Sequence, residues 1–198
     1  MSKLIFATNN QNKVTEIKSL IDKYFSILSL KEAGILIDIP EPYDTLEQNA
    51  IEKAQVIYKL TNTPCFAEDT GLEVNALNGE PGVRSARYAG NHKNFQGNID
   101  KLLNNLKNVS DCSARFRTII CLINKGEQQL FEGICNGVII SEQRGTQGFG
   151  YDPIFVPDGA GKTFGEMELG EKNRYSHRKK ATEKLIAYLE SQYPALIS

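Results

Sequence analysis

The 198-residue sequence contains no tryptophan, two methionines and four cysteines, and it has no long apolar run. A membrane-spanning helix needs about 20 consecutive apolar residues, and the apolar run Leu4–Ala7 is also too short for a signal peptide. Lysine and arginine (23) nearly balance aspartate and glutamate (24), so no broad basic field would attract nucleic acid or anionic lipid. We therefore expect a cytoplasmic protein with neither membrane nor nucleic-acid partners.

The four cysteines, Cys65, Cys112, Cys121 and Cys135, show neither a C-x-x-C pair nor the spacing of zinc ligands. Three of them lie in apolar segments that resemble strands. We interpret all four as small buried hydrophobic residues in a reducing compartment. We expect neither a disulfide bond nor a zinc site.

No repeat, low-complexity tract or linker divides the chain. A chain of this length is expected to bury roughly 70% of the surface that it exposes when unfolded, which is enough for a substantial core. The sequence therefore predicts a single domain over residues 1–198, or one domain with two lobes.

Hydrophobic periodicity predicts a mixture of helices and strands. Helices are expected at 13–24, 46–60 (after a capping box, Thr45 to Gln48), 95–106 and 176–191, and strands at 3–7, 25–30, 65–67, 114–124, 128–140 and 154–156, with a loop at 78–94. The third strand is expected to end at Glu68 and Asp69. This order predicts an α/β fold with a central twisted mixed β-sheet flanked by helices.

The polar turn Thr8–Lys13 joins the first strand to the first helix. Ligands of open α/β sheets bind at the carboxyl ends of strands, and helix N-terminal amides with a lysine attract phosphate. The turn is therefore a candidate phosphate site, although an ordinary asparagine-rich turn with a solvated lysine would look the same.

Acidic residues supply a candidate metal site. Glu68 and Asp69 follow an apolar strand, and their oxygens suit Mg²⁺, but alternation along a strand predicts that only one of them faces the site. A strand end with solvated acids is an equal alternative. Glu41 and Asp44 precede the second helix and could supply another carboxylate, or simply support the helix N-terminus.

A glycine-rich loop, Gly148–Asp152, and the basic stretch Lys172–Arg178 form a candidate base-binding site. Aromatic side chains can stack on a base, and histidine and arginine can donate to its keto oxygens. The alternative is a solvated basic helix start.

Six short motifs occur in an order that is typical of one enzyme family. They are Thr8–Lys13 (T-x-N-x-x-K), Asn49-Ala50 with Lys53-Ala54, Ala67–Leu72, Pro81–Gly90, Gly148–Pro153 and Glu171–Arg178. Each motif is weak alone, but together they span nearly the whole chain. The sequence resembles the inosine triphosphate pyrophosphatases, which hydrolyse non-standard purine nucleoside triphosphates.

The resemblance implies an elongated, two-lobed α/β fold, a homodimer, and Mg²⁺-dependent hydrolysis of ITP, dITP and XTP to the nucleoside monophosphate and pyrophosphate. By position, Asp69 would be the proton acceptor and a Mg²⁺ ligand, and Glu41 would be a second metal ligand. Phe149 would stack on the base, and donors from His177 and Arg178 would match a 6-keto oxygen but not the amino group of adenine. The residues expected to bind substrate are Thr8, Asn9, Asn10, Gln11, Asn12, Lys13, Thr70, Phe149, Gly150, Tyr151, Asp152, Lys172, His177 and Arg178.

Two departures from the family pattern affect the site. Asp44-Thr45-Leu46 replaces a stretch that usually carries a glycine near a T-F pair, so Asp44 stays an alternative to Glu41 as the second metal ligand. Thr70 stands where many relatives have serine, which keeps the hydroxyl. Two other functions also stay open: a general nucleotide pyrophosphatase for pyrimidine or modified substrates, and a non-catalytic nucleotide- or RNA-binding module.

Overall fold

The computed structural model describes residues 3–21, 25–90 and 94–192, which form five α-helices, seven strands and four short 3₁₀ segments. The elements are β1 (Lys3–Phe6), α1 (Gln11–Ile21), β2 (Ser26–Ser29), α2 (Leu46–Thr61), β3 (Cys65–Val74), β4 (Pro81–Gly82), α3 (Phe95–Asn105), β5 (Ser113–Asn124), β6 (Glu127–Ile139), β7 (Phe155–Pro157), α4 (Leu169–Lys172) and α5 (His177–Gln192).

The strands form one mixed sheet in the order β2-β1-β3-β5-β6-β7, with β4 paired to β3. Strand β1 runs parallel to β2 and to β3, whereas the pairs β3–β4 and β6–β7 are antiparallel. The predicted α/β fold with a central mixed sheet and flanking helices is thereby confirmed. No helix within the described ranges is long and apolar enough to cross a membrane.

The chain divides into two compact units, and each has its own core. Unit 1 comprises Met1–Asp69, Thr118–Gly133 and Arg178–Ser198, and its core joins apolar residues of α1 and α5 to β1, β3 and β5. Unit 2 comprises Thr70–Arg117 and Ile134–His177, and its core contains apolar residues of α3, β3, β5, β6 and β7 together with Phe164.

The helix α2 begins where the sequence predicts, because the side chain of Thr45 accepts a hydrogen bond from the backbone N–H of Gln48 (3.2 Å). It ends at Asn62, which adopts the left-handed conformation. Its buried face carries apolar residues and, between them, the polar Asn49 and Lys53. This face positions two polar side chains in the interior of unit 1.

Strand β3 is longer than predicted, since it runs through Glu68 and Asp69 to Val74. The prediction that it ends at these acids is wrong because Gly71 does not break the strand. A Cβ at Gly71 would lie 2.6 Å from the carbonyl oxygen of Gly82, so glycine is what lets β4 pair closely with β3. The two acids therefore lie in mid-strand.

Other boundaries differ by a few residues. The helix α1 begins at Gln11, two residues earlier than predicted, and Tyr24, which was expected to end it, lies outside the described residues, as do residues 91–93 of the predicted loop. Three of the four cysteines are buried as predicted, but Cys112 is only half-buried and packs against the core of unit 2, so the prediction that it is a buried residue is wrong. Cys112 comes just before β5 and outside the regular strand.

Candidate active site

Strand β3 carries two adjacent carboxylates that are both buried, Glu68 at 1% and Asp69 at 6% relative exposure. Consecutive side chains of a strand point to opposite faces of the sheet. The two acids therefore form ion pairs with different side chains, Asp69 with Lys53 and Glu68 with Lys13 and Arg178, all within unit 1. The alternative of a strand end with solvated acids is excluded by this burial.

Asp69 belongs to a buried group in which one ammonium binds two carboxylates. The Nζ of Lys53 lies 2.8 Å from Oδ1 of Asp69 and 2.7 Å from Oε1 of Glu41. Asn49, one turn earlier on α2, donates to Oδ2 of Asp69 (3.5 Å). Because Asp69 and Glu41 share one ammonium, their carboxylates are close neighbours.

The loop before α2 is tied to the same helix. The side chain of Asn49 accepts from the backbone N–H of Tyr43 (3.0 Å) and donates to its carbonyl (2.9 Å). This pair of bonds holds the segment that carries Glu41 against α2. Asp44, in contrast, is exposed. The geometry favours Glu41 over Asp44 as the acid beside Asp69.

Burial and charge act in opposite directions on this group. Burial raises the pKa of Asp69 above its ordinary value, and the charges of Lys53 and Lys13 only partly offset it. Burial alone would lower the pKa of Lys53, but the charges of Asp69 and Glu41 outweigh it and raise that pKa. Lys53 is therefore held as an ammonium.

Glu68 forms a second buried charge cluster. Its carboxylate accepts from Nε of Arg178 (2.9 Å) and lies 3.0 Å from Nζ of Lys13. Arg178 also pairs with Glu16 of α1 through Nη1. Burial disfavours the charge of Glu68, but Arg178 and Lys13 outweigh it and lower its pKa to about 2. Arg178 is 1% exposed, so the reading of this position as a solvated basic helix start is wrong.

The turn that precedes α1 is ordered by its own side chains. Thr8 Oγ1 accepts from the N–H of Asn10 (3.1 Å), and Asn10 Oδ1 accepts from the N–H groups of Asn12 (3.1 Å) and Lys13 (3.4 Å). Asn9 donates to the carbonyl of Ile37 (2.8 Å). These bonds fix the backbone at Lys13, whose ammonium pairs with Glu68 on β3.

Unit 2 contains the predicted base-binding residues except Arg178, which belongs to unit 1. Oδ2 of Asp152 accepts from Nζ of Lys172 (2.7 Å) and from the backbone N–H of Phe149 (2.8 Å), and Tyr151 donates to the carbonyl of Ser85 (3.0 Å). The ring of His177 is buried and stacks on that of Phe116, with centroids 4.7 Å apart.

The structure thus gathers the predicted residues into two groups. Unit 1 joins Asp69 to Glu41 through Lys53 and, separately, Lys13 to Arg178 through Glu68. Unit 2 joins Phe149, Asp152 and Lys172. Gln11 and Asn12 are exposed at the start of α1, and Thr70, Gly150 and Tyr151 occupy β3 and the glycine loop. That these residues contact substrate stays a prediction.

Sequence reasoning did not predict the pairings of four residues that build the site: Asn49, Lys53 and Glu16 had no assigned role, and Glu68 was considered only as a candidate metal ligand. For two of them a signal was available. Asn49 and Lys53 occur at helical spacing with the apolar positions Leu46, Ala50 and Ala54, which places polar side chains on a buried face. For Glu68 and Glu16 no signal was available, because their shared partner Arg178 lies more than 100 residues away.

The donors at Asp69 and Glu41 fit a hard divalent cation. Mg²⁺ prefers oxygen ligands and is typically held by one or two carboxylates together with substrate phosphates. Within the described ranges no group of three or more His, Cys, Asp or Glu side chains is placed to hold a metal. Asp69 and Glu41 therefore suit a divalent cation whose other ligands are supplied by substrate phosphates.

Buried carboxylates and lysines on a mixed sheet are the groups that α/β enzymes use to bind a divalent cation and an anionic substrate. The profile of the Ham1 family matches residues 4–188. A dITP/XTP pyrophosphatase of Christiangramia forsetii is 53% identical over 187 residues, which is 94% of this chain and 98% of the relative. The dITP/XTP pyrophosphatase of Porphyromonas gingivalis is 48% identical over 190 residues, 96% of this chain and 98% of the relative.

Solved structures agree. The Ham1 protein of Staphylococcus aureus superposes with a TM-score of 0.87 at 38% identity, covering 96% of this chain and all (100%) of its own. The chain belongs to the Ham1 family. The resemblance recognised from the six motifs is confirmed at this level.

Proposed function

We propose that this protein hydrolyses dITP, XTP and ITP to the nucleoside monophosphate and pyrophosphate, with Mg²⁺ as cofactor. The predicted enzyme class, a nucleoside triphosphate pyrophosphohydrolase, is confirmed by the relatives, which are named dITP/XTP pyrophosphatases. The inclusion of ITP, the metal and a homodimeric state are parts of the proposal. A cytoplasmic location is also part of it.

One observation carries the catalytic assignment: a single buried ammonium, that of Lys53, binds both Asp69 and Glu41. This arrangement fixes two oxygen donors side by side within unit 1, which also contains Lys13. Mg²⁺ held by these donors would neutralise phosphate oxygens and make a bound water more acidic.

The chain's own residues then have separate tasks. Lys13 and the polar turn Thr8–Asn12 bind phosphate oxygens, Lys13 by its charge. Asp69 accepts the proton of the attacking water at its carboxylate. Lys53 keeps Asp69 and Glu41 in place and offsets their mutual repulsion.

Base selection rests on donors and stacking. Phe149 would stack on the base, and His177 and Arg178 would donate to a 6-keto oxygen. Adenine presents an amino donor there, and each mismatched buried polar group costs about 1–3 kcal/mol.

The test is a substrate panel with resolved products. Purified protein is incubated with Mg²⁺ and dITP, XTP, ITP, ATP or dUTP, and the products are separated by anion exchange. We expect monophosphate and pyrophosphate from the first three substrates and little turnover of ATP and dUTP. Release of diphosphate with orthophosphate would overturn the bond assignment. Equal turnover of dUTP would favour the general nucleotide pyrophosphatase.

A further inference from the structure

The segment that carries Glu41 has no regular secondary structure. Residues 35–45, between β2 and α2, form neither a strand nor a helix, so no strand or helix hydrogen bonds fix their position. Glu41 stands between two prolines, which have no backbone N–H to donate. Tyr43 therefore provides the first backbone N–H after Glu41, and this group donates to Oδ1 of Asn49 (3.0 Å).

Asn49 binds both this segment and Asp69 with one side chain. Its Nδ2 donates to the carbonyl of Tyr43 (2.9 Å) and, at a longer distance, to Oδ2 of Asp69 (3.5 Å). Asn49 is 1% exposed, so bulk water does not compete for these bonds. Because one bond to Tyr43 is accepted and the other is donated, an amide fits this position, whereas a carboxylate or an aliphatic side chain does not.

Asn49 and Lys53 hold the same two partners from successive turns of α2. Lys53 joins Oδ1 of Asp69 to the carboxylate of Glu41. Asn49 joins Oδ2 of Asp69 to the backbone two residues after Glu41. Glu41 is therefore held at its carboxylate by one side chain, and its backbone is held nearby by the other.

We propose that Asn49 is a positioning residue for the metal-binding pair, acting through the backbone of Tyr43 to keep Glu41 beside Asp69. The inference rests on the proposed function, since Asp69 and Glu41 would bind the Mg²⁺ of that reaction. Asn49 is not itself a metal ligand, because its Oδ1 accepts from Tyr43. Side chains that orient metal ligands typically change metal affinity by about 10–100-fold when they are replaced.

The first experiment replaces Asn49 by leucine, which has a similar size but makes none of these bonds. In Asn49→Leu, the Mg²⁺ concentration for half-maximal turnover of dITP should rise about tenfold. The KM for dITP at saturating Mg²⁺ should stay within about twofold, because the residues that bind the nucleotide are unchanged. Gln55→Leu is the matched control, since Gln55 is an amide of the same helix outside its buried face, and it should change neither value.

A double-mutant cycle tests whether Asn49 acts through Glu41. In a Glu41→Gln background the acid to be positioned is absent, so adding Asn49→Leu should change the Mg²⁺ requirement by less than about twofold. An undiminished tenfold effect in that background would overturn the proposal, because Asn49 would then act without Glu41.

A fluorescence measurement needs neither turnover nor metal. The chain has no tryptophan, and Tyr43 is 41% exposed, so Tyr43→Trp introduces one reporter and keeps the backbone that binds Asn49. Adding Asn49→Leu should raise the acrylamide quenching constant of this tryptophan about 1.5-fold or more, whereas Gln55→Leu should leave it unchanged. If Asn49→Leu does not fold, Asn49→Ala is measured instead, with the same expected pattern.

The outcomes separate this proposal from the proposed function. Unchanged quenching would overturn the proposal, because the segment would then not depend on Asn49. Raised quenching with an unchanged Mg²⁺ requirement would also overturn it, because Glu41 would then be positioned without Asn49. If the wild-type protein turned over neither dITP nor XTP, the proposed function would fail, whereas the quenching comparison would still decide whether Asn49 holds residue 43.

Discussion

Replacing Lys53 by methionine removes a cation that Asp69 and Glu41 share, while the length of the side chain is kept. Lys53 and Asp69 have side chains 8% exposed, and Glu41 is 29% exposed. Breaking a buried ion pair by removing one partner typically costs about 3–5 kcal/mol. We expect the lower end, about 3 kcal/mol, because Glu41 is partly solvated and can relax.

This loss converts into a measurable change. For a chain of this size, 1 kcal/mol lowers Tm by about 2–4 °C, so Lys53→Met should melt about 10 °C below the wild type by calorimetry. Without Lys53 the two carboxylates repel each other, and added Mg²⁺ should raise Tm more in the variant than in the wild type. Turnover of dITP should fall by about 10²–10³ because the carboxylates are no longer held in place.

The control is Lys59→Met, which alters an exposed lysine in the last turn of the same helix. It should change Tm by no more than about 1–2 °C. If Lys53→Met had the same Tm as Lys59→Met and kept wild-type turnover of dITP, the group of Lys53, Asp69 and Glu41 would contribute neither the stability nor the catalytic effect that we assign to it.

Three further predictions concern stability, each followed by chemical denaturation. Glu68→Gln should cost about 3–5 kcal/mol, because Arg178 and Lys13 lose a fully buried counter-charge; no loss relative to an exposed Glu127→Gln control would refute this. Gly71→Ala should cost about 1–3 kcal/mol, since its Cβ would meet the backbone of Gly82, whereas Gly161→Ala has open space and should be near neutral. The pKa of Glu32 is lowered to about 2 by Lys18 and Ser29, so its ionised carboxylate should stabilise the fold by less than about 1 kcal/mol. This contribution should be complete above pH 4.5 and should decrease as the pH falls to 2. A stability difference between wild type and Glu32→Gln that did not shrink in acid would contradict this.

Local signals explain why much of the fold was predictable. The helix α2 has its cap at Thr45, and the hairpin of β5 and β6 turns at Lys125 and Gly126, which both have positive φ (52° and 82°). These elements are specified by residues within a few positions of each other. The end of β3 was missed because β3 continues as a partner of β4, and β4 lies in the segment that was predicted to be a loop.

The site was predictable in its residues but not in its pairings. Asp69, Glu41 and Lys13 could be named from motifs, since each motif is contiguous. The pairings could not, because Arg178 pairs with Glu68 across 110 residues of sequence, and nothing local to Lys53 shows that it binds both Asp69 and Glu41. Two adjacent acids in a sequence can be solvated at the end of a strand or buried and paired with cations. Which of the two applies depends on burial, and burial is a property of the tertiary fold.

The central claim is that Asp69, held beside Glu41 by Lys53, accepts the proton of the attacking water. The most direct measurement is the turnover number of Asp69→Asn with dITP and Mg²⁺, alongside equilibrium binding of dITP. We predict a loss of about 10³ or more in turnover with binding within about tenfold of wild type, and no loss in the exposed control Asp158→Asn. Turnover by Asp69→Asn equal to that of the control would contradict the claim.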